Sequence, residues 1–150
     1  MSPPQLARVA TFSPAASEPA EPFMTACHRN ALERLRLAFD NRLPLCILIG
    51  EGRSGASFVI RRFLDGIQSD DVAIARIVRP CSDATSGMRE IIRAIGFEPK
   101  DMNHADLEKI FTMFLSYQRT HHRRTVICVE ETQDSGNWML DKIRRLVEME

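Results

Sequence analysis

The sequence has no long hydrophobic run and no excess of either charge. No apolar stretch approaches the roughly 18 residues that a membrane-spanning helix needs, and the N-terminus lacks the apolar core of an export signal. Lys plus Arg number 20 and Asp plus Glu number 20, which gives a formal net charge of +0. Without a global positive field, the composition offers no argument for nucleic-acid binding. We expect a cytoplasmic protein with no transmembrane segment in this chain.

Paired cysteines are also absent. The four cysteines are Cys27, Cys46, Cys81 and Cys128, and no two of them form a C-x-x-C pair. This wide spacing favours reduced thiols in a cytosolic compartment over a disulfide framework. Cys46 and Cys128 lie inside apolar runs, which predicts that both thiols are buried.

The length and composition suit one domain or part of one. The chain has 150 residues, of which 44% are hydrophobic, enough for a core. Residues 1–22 are rich in Pro, Ala and Ser and lack periodicity, so they are predicted to be a disordered lead-in. The predicted folded domain is therefore 23–150.

Hydrophobic periodicity predicts three strands and five helices in that domain. The strands are apolar runs at Leu45–Ile49, Val72–Val78 and Thr125–Val129. The helices cover Phe23–Asn41, the stretch from Ser57 to Ile67, the stretch from a cap at Ser82 or Asp83 to Gly96, a stretch starting near Asn103, and Trp138–Glu150. This order predicts an α/β fold with a parallel sheet between two helical layers.

A glycine loop lies between the first predicted strand and its helix. Gly50 is followed five residues later by Gly55-Ala56-Ser57, which matches the phosphate-binding pattern G-x-x-x-x-G-K-[ST] except that Ala56 replaces the lysine. Main-chain N–H groups do most of the phosphate binding in such a loop, so Ala56 leaves those donors intact. What is lost is a charge-assisted hydrogen bond of about 1.5–3 kcal/mol. The alternative is a strand–helix turn that binds nothing.

Two carboxylates follow the third predicted strand. Glu130 and Glu131 come directly after Thr125–Val129, at the carboxyl end, where ligands bind in open parallel sheets. One carboxylate can hold Mg²⁺ through its water and the next can orient an attacking water. The alternative is an acidic loop after a buried strand.

Two histidine-containing segments leave their interpretation open. His28, in the first turn of the first helix, is either a partly buried or surface histidine or a contact to a nucleotide base. His121-His122-Arg123-Arg124 is either a solvated turn or a phosphate or nucleic-acid contact. No cysteine or carboxylate stands at ligand spacing beside it, so a metal site is not expected there.

From about Phe23 onward the chain resembles AAA+ ATPases of the bacterial group that includes general secretion pathway protein A-like and transposition-associated ATPases. The matching features are the helix carrying His28-Arg29-Asn30-Ala31-Leu32, the Gly50–Ser57 loop, the helix ending Arg93-Ala94-Ile95-Gly96-Phe97, and Val129-Glu130-Glu131-Thr132-Gln133. The family's last motif usually reads Asp-Glu-Ala-Gln. The resemblance implies that Ser57 and Glu130 are associated with magnesium, that Glu131 is catalytic and that Gln133 is the motif's glutamine.

The chain departs from that family in two side chains and in length. Ala56 replaces the loop lysine, with Arg53 the obvious substitute charge, and Glu130 replaces an aspartate. The family's domain continues with two more strands, a sensor residue, an arginine finger and a helical lid. We therefore expect a truncated chain that is marginally stable alone. It would lack the central strand that the family has between Leu45–Ile49 and Thr125–Val129. Without that strand, these two runs would either leave backbone groups unpaired or pair with each other.

The sequence thus predicts a truncated three-layer P-loop NTPase domain of AAA+ type with ATP and Mg²⁺ as ligands and with hydrolysis weak or lost. The expected nucleotide-binding residues are Gly50, Glu51, Gly52, Arg53, Ser54, Gly55, Ala56 and Ser57. The alternative is a non-hydrolysing module that acts on a transposase, DNA or secretion assembly. The family resemblance also implies a homo-oligomer in a full-length form. A plain α/β interaction domain, binding no nucleotide, is the third possibility.

Overall fold

The structure is a computed structural model that describes residues 9–12, 24–79, 81–131 and 135–149. Its strands are β1 (Val9–Phe12), β2 (Ile47–Gly50), β3 (Val72–Ile77) and β4 (Arg124–Val129). Its helices are α1 (Ala26–Asp40), α2 (Ala56–Ile67), α3 (Ala84–Ala94), α4 (His104–Thr120) and α5 (Asn137–Glu148). The mixed α/β class predicted from the sequence is confirmed, and every predicted strand and helix has a counterpart.

The strands form two parallel sheets of two strands each instead of one sheet of three. β1 pairs with β2, with Val9 opposite Ile47, and β3 pairs with β4, with Val72 opposite Arg124. β2 and β4 therefore each have a partner strand along one edge, and they do not pair with each other, which was one of the two expected outcomes. Their other edges have no strand partner among the described residues, as the second expected outcome, unpaired backbone, requires.

β1 corrects the prediction for residues 1–22. Val9–Phe12 was expected to be disordered, yet it forms a parallel strand beside β2. Its composition, with Val, Thr and Phe in four residues, suits a strand, and β2 supplies the backbone hydrogen-bond partners that the segment cannot provide for itself. The rest of the predicted lead-in, residues 1–8 and 13–22, lies outside the described residues.

The chain divides into two compact units, Met1–Ile67 and Gln68–Met149. In the first, α1 packs on α2 through an edge-to-face contact of the Phe39 and Phe63 rings, whose centroids are 6.0 Å apart. In the second, α3 and α4 pack with β3 around one buried apolar cluster. That cluster contains Ile77, Met88, Ile91, Ile92, Leu107 and Phe111.

The helix ends follow the local signals in the sequence. Thr25, Asp83 and Asn103 cap α1, α3 and α4, each by accepting a hydrogen bond from a backbone N–H in the first turn. Gly96 lies just beyond α3 with φ of +95°, a conformation that glycine adopts without steric cost. Of the helices in the described ranges, none combines the length and the apolar character needed to cross a bilayer.

The predicted burial of the first apolar run is wrong. Ile47 and Ile49 of β2 are 40% and 48% exposed, respectively. They lie two residues apart and therefore on the same face of the strand. Cys46 and Cys128 are half-buried, and the buried thiol is instead that of Cys81. An apolar run indicates a strand, but it does not specify what covers each face.

Candidate functional site

The glycine loop has the strand–loop–helix context that its motif requires. β2 ends at Gly50 and α2 begins at Ala56. The connection begins with a turn in which the Ser54 N–H donates to the Glu51 carbonyl over 3.0 Å. The segment predicted to bind phosphate is therefore a short connection that ends directly at a helix N-terminus.

The sign of φ alternates along the loop. Arg53 and Gly55 have φ values of 63° and 84°, whereas Gly52 and Ser54, the residues before and between them, do not have positive φ. Alternation between right- and left-handed conformations turns successive N–H groups toward one side and forms an anion-binding concavity, a nest. Gly55 adopts its positive φ freely, but Arg53 does so at a cost of about 1 kcal/mol.

Main-chain donors at the start of α2 are available to a ligand. The first helical hydrogen bond runs from the Val59 N–H to the Gly55 carbonyl over 3.0 Å. The N–H groups of Ala56, Ser57 and Phe58 precede it and have no acceptor within the described ranges. These are the orphan donors found at every helix N-terminus, and here they follow directly after Gly55.

The side chains of the loop supply little positive charge. Ala56 is half-buried and carries none, while Glu51, Arg53 and Ser57 are exposed. Arg53 makes no ion pair with any residue that the structure describes. A guanidinium is therefore present on the loop, but no contact orients it toward the nest.

Ser54 is the buried residue of the loop. It is 4% exposed, and its Oγ has no hydrogen-bond partner among the described residues. Its carbonyl oxygen, in contrast, accepts a hydrogen bond from Nε2 of His28, 2.9 Å away. The sequence analysis did not find this contact between α1 and the loop, because 26 residues separate its partners. A local signal did exist, since His28 stands three residues after the cap Thr25.

The acidic pair has two different environments. Glu130 is buried at 7% exposure and forms an ion pair with Arg76, whose Nε lies 2.6 Å from Oε1 of Glu130. Glu131 is exposed and has φ of 54°. A carboxylate already bonded to a guanidinium can bind a magnesium-associated water only through its remaining lone pairs or by giving up part of that bond.

A cysteine beside the acidic pair is perturbed by it. Burial, together with the negative charge of Glu130, raises the pKa of Cys128 to about 11, against a smaller opposing effect of Arg76. Cys128 therefore remains a neutral thiol at physiological pH and is a poor nucleophile and metal ligand.

The predicted residues fall in both compact units. The glycine loop belongs to Met1–Ile67, and the acidic pair belongs to Gln68–Met149. Within the described ranges, no group of three or more His, Cys, Asp or Glu side chains is arranged to hold a metal ion. Gln133, the glutamine of the acidic motif, lies outside those ranges.

The basic turn after α4 is engaged locally. The His121 ring stacks on Tyr117 with 4.0 Å between centroids, and its Nδ1 lies 2.8 Å from the Tyr117 carbonyl. The Arg124 N–H donates to the Asp71 carbonyl as β4 begins beside β3. These contacts favour the interpretation of this segment as a structured turn between α4 and β4.

Comparison of the chain with protein-family models, with curated proteins and with solved structures found no match. The likeness to AAA+ ATPases therefore depends on the motifs in the sequence, and what it implies for function is a proposal.

Proposed function

We propose that the Gly50–Ser57 loop binds the phosphates of a nucleotide, with ATP as the ligand, in a domain of the AAA+-like P-loop NTPase type. The observation that carries the proposal is the alternation of φ across Gly52, Arg53, Ser54 and Gly55, immediately before a helix with unpaired N–H groups. Other connections also contain a non-glycine residue with positive φ, such as Arg42 after α1, but Arg53 is followed two residues later by a second positive φ, at Gly55, directly before a helix.

The chemistry of the loop suits an anion. The Gly55 N–H and the helix N-terminus both present unpaired N–H groups, whereas the Ser54 N–H is already bonded to the Glu51 carbonyl. The helix adds a positive partial charge of about half an elementary charge. None of these main-chain donors depends on the side chain at position 56, so the lysine is not required for the main-chain contacts. We expect the β- and γ-phosphates to contact the amides of Gly55, Ala56 and Ser57.

Ala56 makes this a weak version of the site. The missing ammonium would contribute about 1.5–3 kcal/mol, or about 10- to 100-fold in affinity. Arg53 is the charge on the loop that can replace part of this contribution, because its guanidinium is exposed and makes no ion pair within the described ranges. Phosphoryl transfer needs that charge more than binding does, since charge develops on the transferred group.

The acidic pair supports binding without efficient hydrolysis. By the family resemblance, Glu130 would be the magnesium-associated acid and Glu131 would orient a water. Glu130 is instead bonded to Arg76 over 2.6 Å, so part of its charge is already compensated. This observation favours the second candidate, a non-hydrolysing P-loop binding or scaffolding module. Its partner would be a transposase, DNA or a secretion assembly, and a homo-oligomer stays a separate expectation for a full-length form.

Restoring the lysine tests the proposal. We expect the wild-type protein to bind ATP and pyrophosphate weakly in a calorimetric titration, and Ala56→Lys to bind about 10- to 100-fold more tightly. Ala84→Lys is the matched control, because Ala84 is likewise the first residue of a helix, α3. It introduces the same charge at the same helical position without a glycine loop.

The outcomes of that titration distinguish a phosphate-binding loop from a domain that binds no nucleotide. Tighter binding in Ala56→Lys alone supports the phosphate loop. Equal gains in Ala56→Lys and Ala84→Lys would indicate a general effect of charge. No binding in wild type or in Ala56→Lys would end the proposal and leave the plain α/β interaction domain. Release of phosphate from ATP by Ala56→Lys, but not by wild type, would identify the missing ammonium as the reason for lost hydrolysis.

A further inference from the structure

His28 connects the start of α1 to the glycine loop. Its Nε2 lies 2.9 Å from the Ser54 carbonyl oxygen, and its Nδ1 lies 3.1 Å from the backbone nitrogen of Thr25. The same Nδ1 is 2.9 Å from the Thr25 hydroxyl oxygen. One imidazole therefore takes part in the capping box of α1 and also bonds to the backbone of the loop.

The two contacts together assign the tautomer. The Thr25 backbone N–H can only donate, so the Nδ1 that receives it carries no proton. In the neutral ring the proton is then on Nε2, which is the nitrogen that faces the Ser54 carbonyl. His28 is consequently a donor to the loop and an acceptor toward its own helix cap.

The ring also fills the space beside Gly55. A Cβ on Gly55 would lie 2.5 Å from Nε2 of His28, closer than side chains approach one another. The His28 ring meets Phe58 edge-on, with 6.1 Å between centroids and an interplanar angle of 75°. The loop therefore contacts the imidazole along its backbone and through the first turn of α2.

Fixing the Ser54 carbonyl also fixes the amide that follows it. In a planar trans peptide, the C=O of one residue and the N–H of the next point in opposite directions. Because His28 holds the Ser54 carbonyl, the Gly55 N–H is directed away from the imidazole. That N–H has no acceptor within the described ranges.

We propose that His28 is a positioning residue for the phosphate loop, one that directs the Gly55 amide toward the ligand through its hydrogen bond to the Ser54 carbonyl. The inference rests on the proposed function and goes beyond the motif, which contains no histidine. The role requires the Nε2 donor, whereas the helix cap requires the Nδ1 acceptor.

Two substitutions separate these requirements. In His28→Asn the side-chain amide reaches the position of Nδ1, so it can cap α1 but cannot reach Ser54. In His28→Gln the amide reaches the position of Nε2 and can still donate to the loop. We expect pyrophosphate binding by calorimetry to weaken about 3- to 10-fold in His28→Asn, the loss of one hydrogen bond, and to remain near wild type in His28→Gln.

Thr25→Val is the structural control. It removes the capping hydroxyl and lowers the stability of α1. It also removes one of the two contacts to Nδ1, but the Thr25 backbone N–H still donates to that nitrogen, so we expect the contact between His28 and Ser54 to remain. The melting temperatures of all three variants show whether any loss of affinity comes from unfolding of the protein. The expected pattern is lower melting temperature with unchanged affinity in Thr25→Val, and lower affinity in His28→Asn with little change in melting temperature.

An NMR measurement without ligand distinguishes failure of the His28 positioning role from failure of phosphate binding by the loop. The ¹⁵N–¹H NMR signal of Gly55 should shift in His28→Asn and stay near its wild-type position in Thr25→Val. Pyrophosphate binding that is equal in wild type and His28→Asn would overturn the positioning role. If wild type binds no pyrophosphate or ATP, the proposed function fails, and an unchanged Gly55 signal in His28→Asn would then overturn the positioning role as well.

Discussion

Arg76 and Glu130 join the adjacent ends of β3 and β4 through a contact of 2.6 Å between Nε and Oε1. Arg76 lies opposite Cys128 in the parallel register, so Glu130 is two residues further along and on the same face as Cys128. The carboxylate side chain is 6% exposed and the guanidinium side chain 28% exposed. Arg76 therefore compensates the buried negative charge of Glu130, the acid at the end of β4 that the family resemblance associates with magnesium.

Removing one partner of this pair should destabilise the protein more than removing both. Arg76→Met leaves Glu130 buried without its cation, and we expect a loss of about 2–3 kcal/mol, reduced from the fully buried case because Arg76 is partly solvated. The double variant Arg76→Met/Glu130→Gln leaves no charge behind and should recover at least half of that loss. Urea unfolding of wild type, both single variants and the double variant measures the coupling. Additive losses would show that the two side chains stabilise the fold independently.

The raised pKa of Cys128 predicts slow thiol chemistry and a specific pH dependence. Folding raises the thiol pKa from its ordinary value of 9.0 to about 11. The folded state therefore keeps its proton where the unfolded state has lost it. This stabilisation is fully present below pH 9.0 and is lost as pH rises toward about 11.

Alkylation at pH 8 followed by peptide mass spectrometry tests the first part of that prediction. Cys27 is exposed and should be modified well before Cys128. Urea unfolding at pH 8 and pH 10.5 tests the second part, because Cys128→Val should lose less stability over that interval than wild type does. Cys27→Ser is the control and should follow the wild-type pH dependence. Equal labelling rates for Cys27 and Cys128 would contradict the assigned environment.

Gly87 and Gly66 should respond to alanine with opposite signs. A Cβ on Gly87 would overlap Cη2 of Trp138, and that indole is held in place because its N–H donates to the Cys81 carbonyl over 2.6 Å. We expect Gly87→Ala to cost about 1–3 kcal/mol through overpacking. At Gly66 the nearest atom is Nη2 of the flexible Arg36 side chain, 3.4 Å away. Gly66→Ala should therefore stabilise by about 0.5–1 kcal/mol through helix propensity.

Thermal unfolding measures both glycine variants, and fluorescence locates the effect. The sequence contains one Trp, so its emission reports the contact between α5 and α3 directly. Gly87→Ala should shift that emission to longer wavelength as the indole is displaced, while Gly66→Ala should leave it unchanged. A Gly87→Ala protein with wild-type stability and emission would mean that α5 moves without cost.

Ser54→Ala should leave stability unchanged or raise it. The Ser54 Oγ is buried and lacks a hydrogen-bond partner in the described part of the chain, and such a hydroxyl costs about 1–3 kcal/mol. Its removal does not affect the carbonyl that accepts from His28. Ser57→Ala is the control in the same segment. Because Ser57 is exposed, the loss of its hydroxyl should change the free energy of unfolding by less than about 0.5 kcal/mol. A clear destabilisation in Ser54→Ala would reveal a partner for the hydroxyl outside the described residues.

Local chemistry made the element order predictable. Thr25 and Asn103 cap their helices as expected. Of the two candidates for the cap of α3, Ser82 and Asp83, the structure has Asp83, and Gly96 follows that helix. Each of these signals acts within a few residues, through one side chain or one φ angle. The five amphipathic stretches and three apolar runs likewise correspond to observed helices and strands, because periodicity and length identify an element without reference to its neighbours.

The candidate site was predictable in the same limited sense. The glycine spacing indicated a loop between a strand and a helix, and the structure has that order. The left-handed conformation of Arg53 was not predictable, since nothing in its residue type requires it. The engagement of Glu130 by Arg76 was equally hidden, because 54 residues separate the two and only the pairing of β3 with β4 brings them together.

The sequence by itself determined where the helices and strands lie and where a glycine loop joins a strand to a helix, because caps, glycines and apolar periodicity act over short distances. Only the tertiary structure decided that β1 pairs with β2, that β2 has an exposed face, that Arg76 compensates Glu130 and that His28 holds the loop carbonyl. These features depend on contacts between residues distant in sequence, whose geometry follows from packing and from strand pairing. No local pattern of residues encodes such contacts.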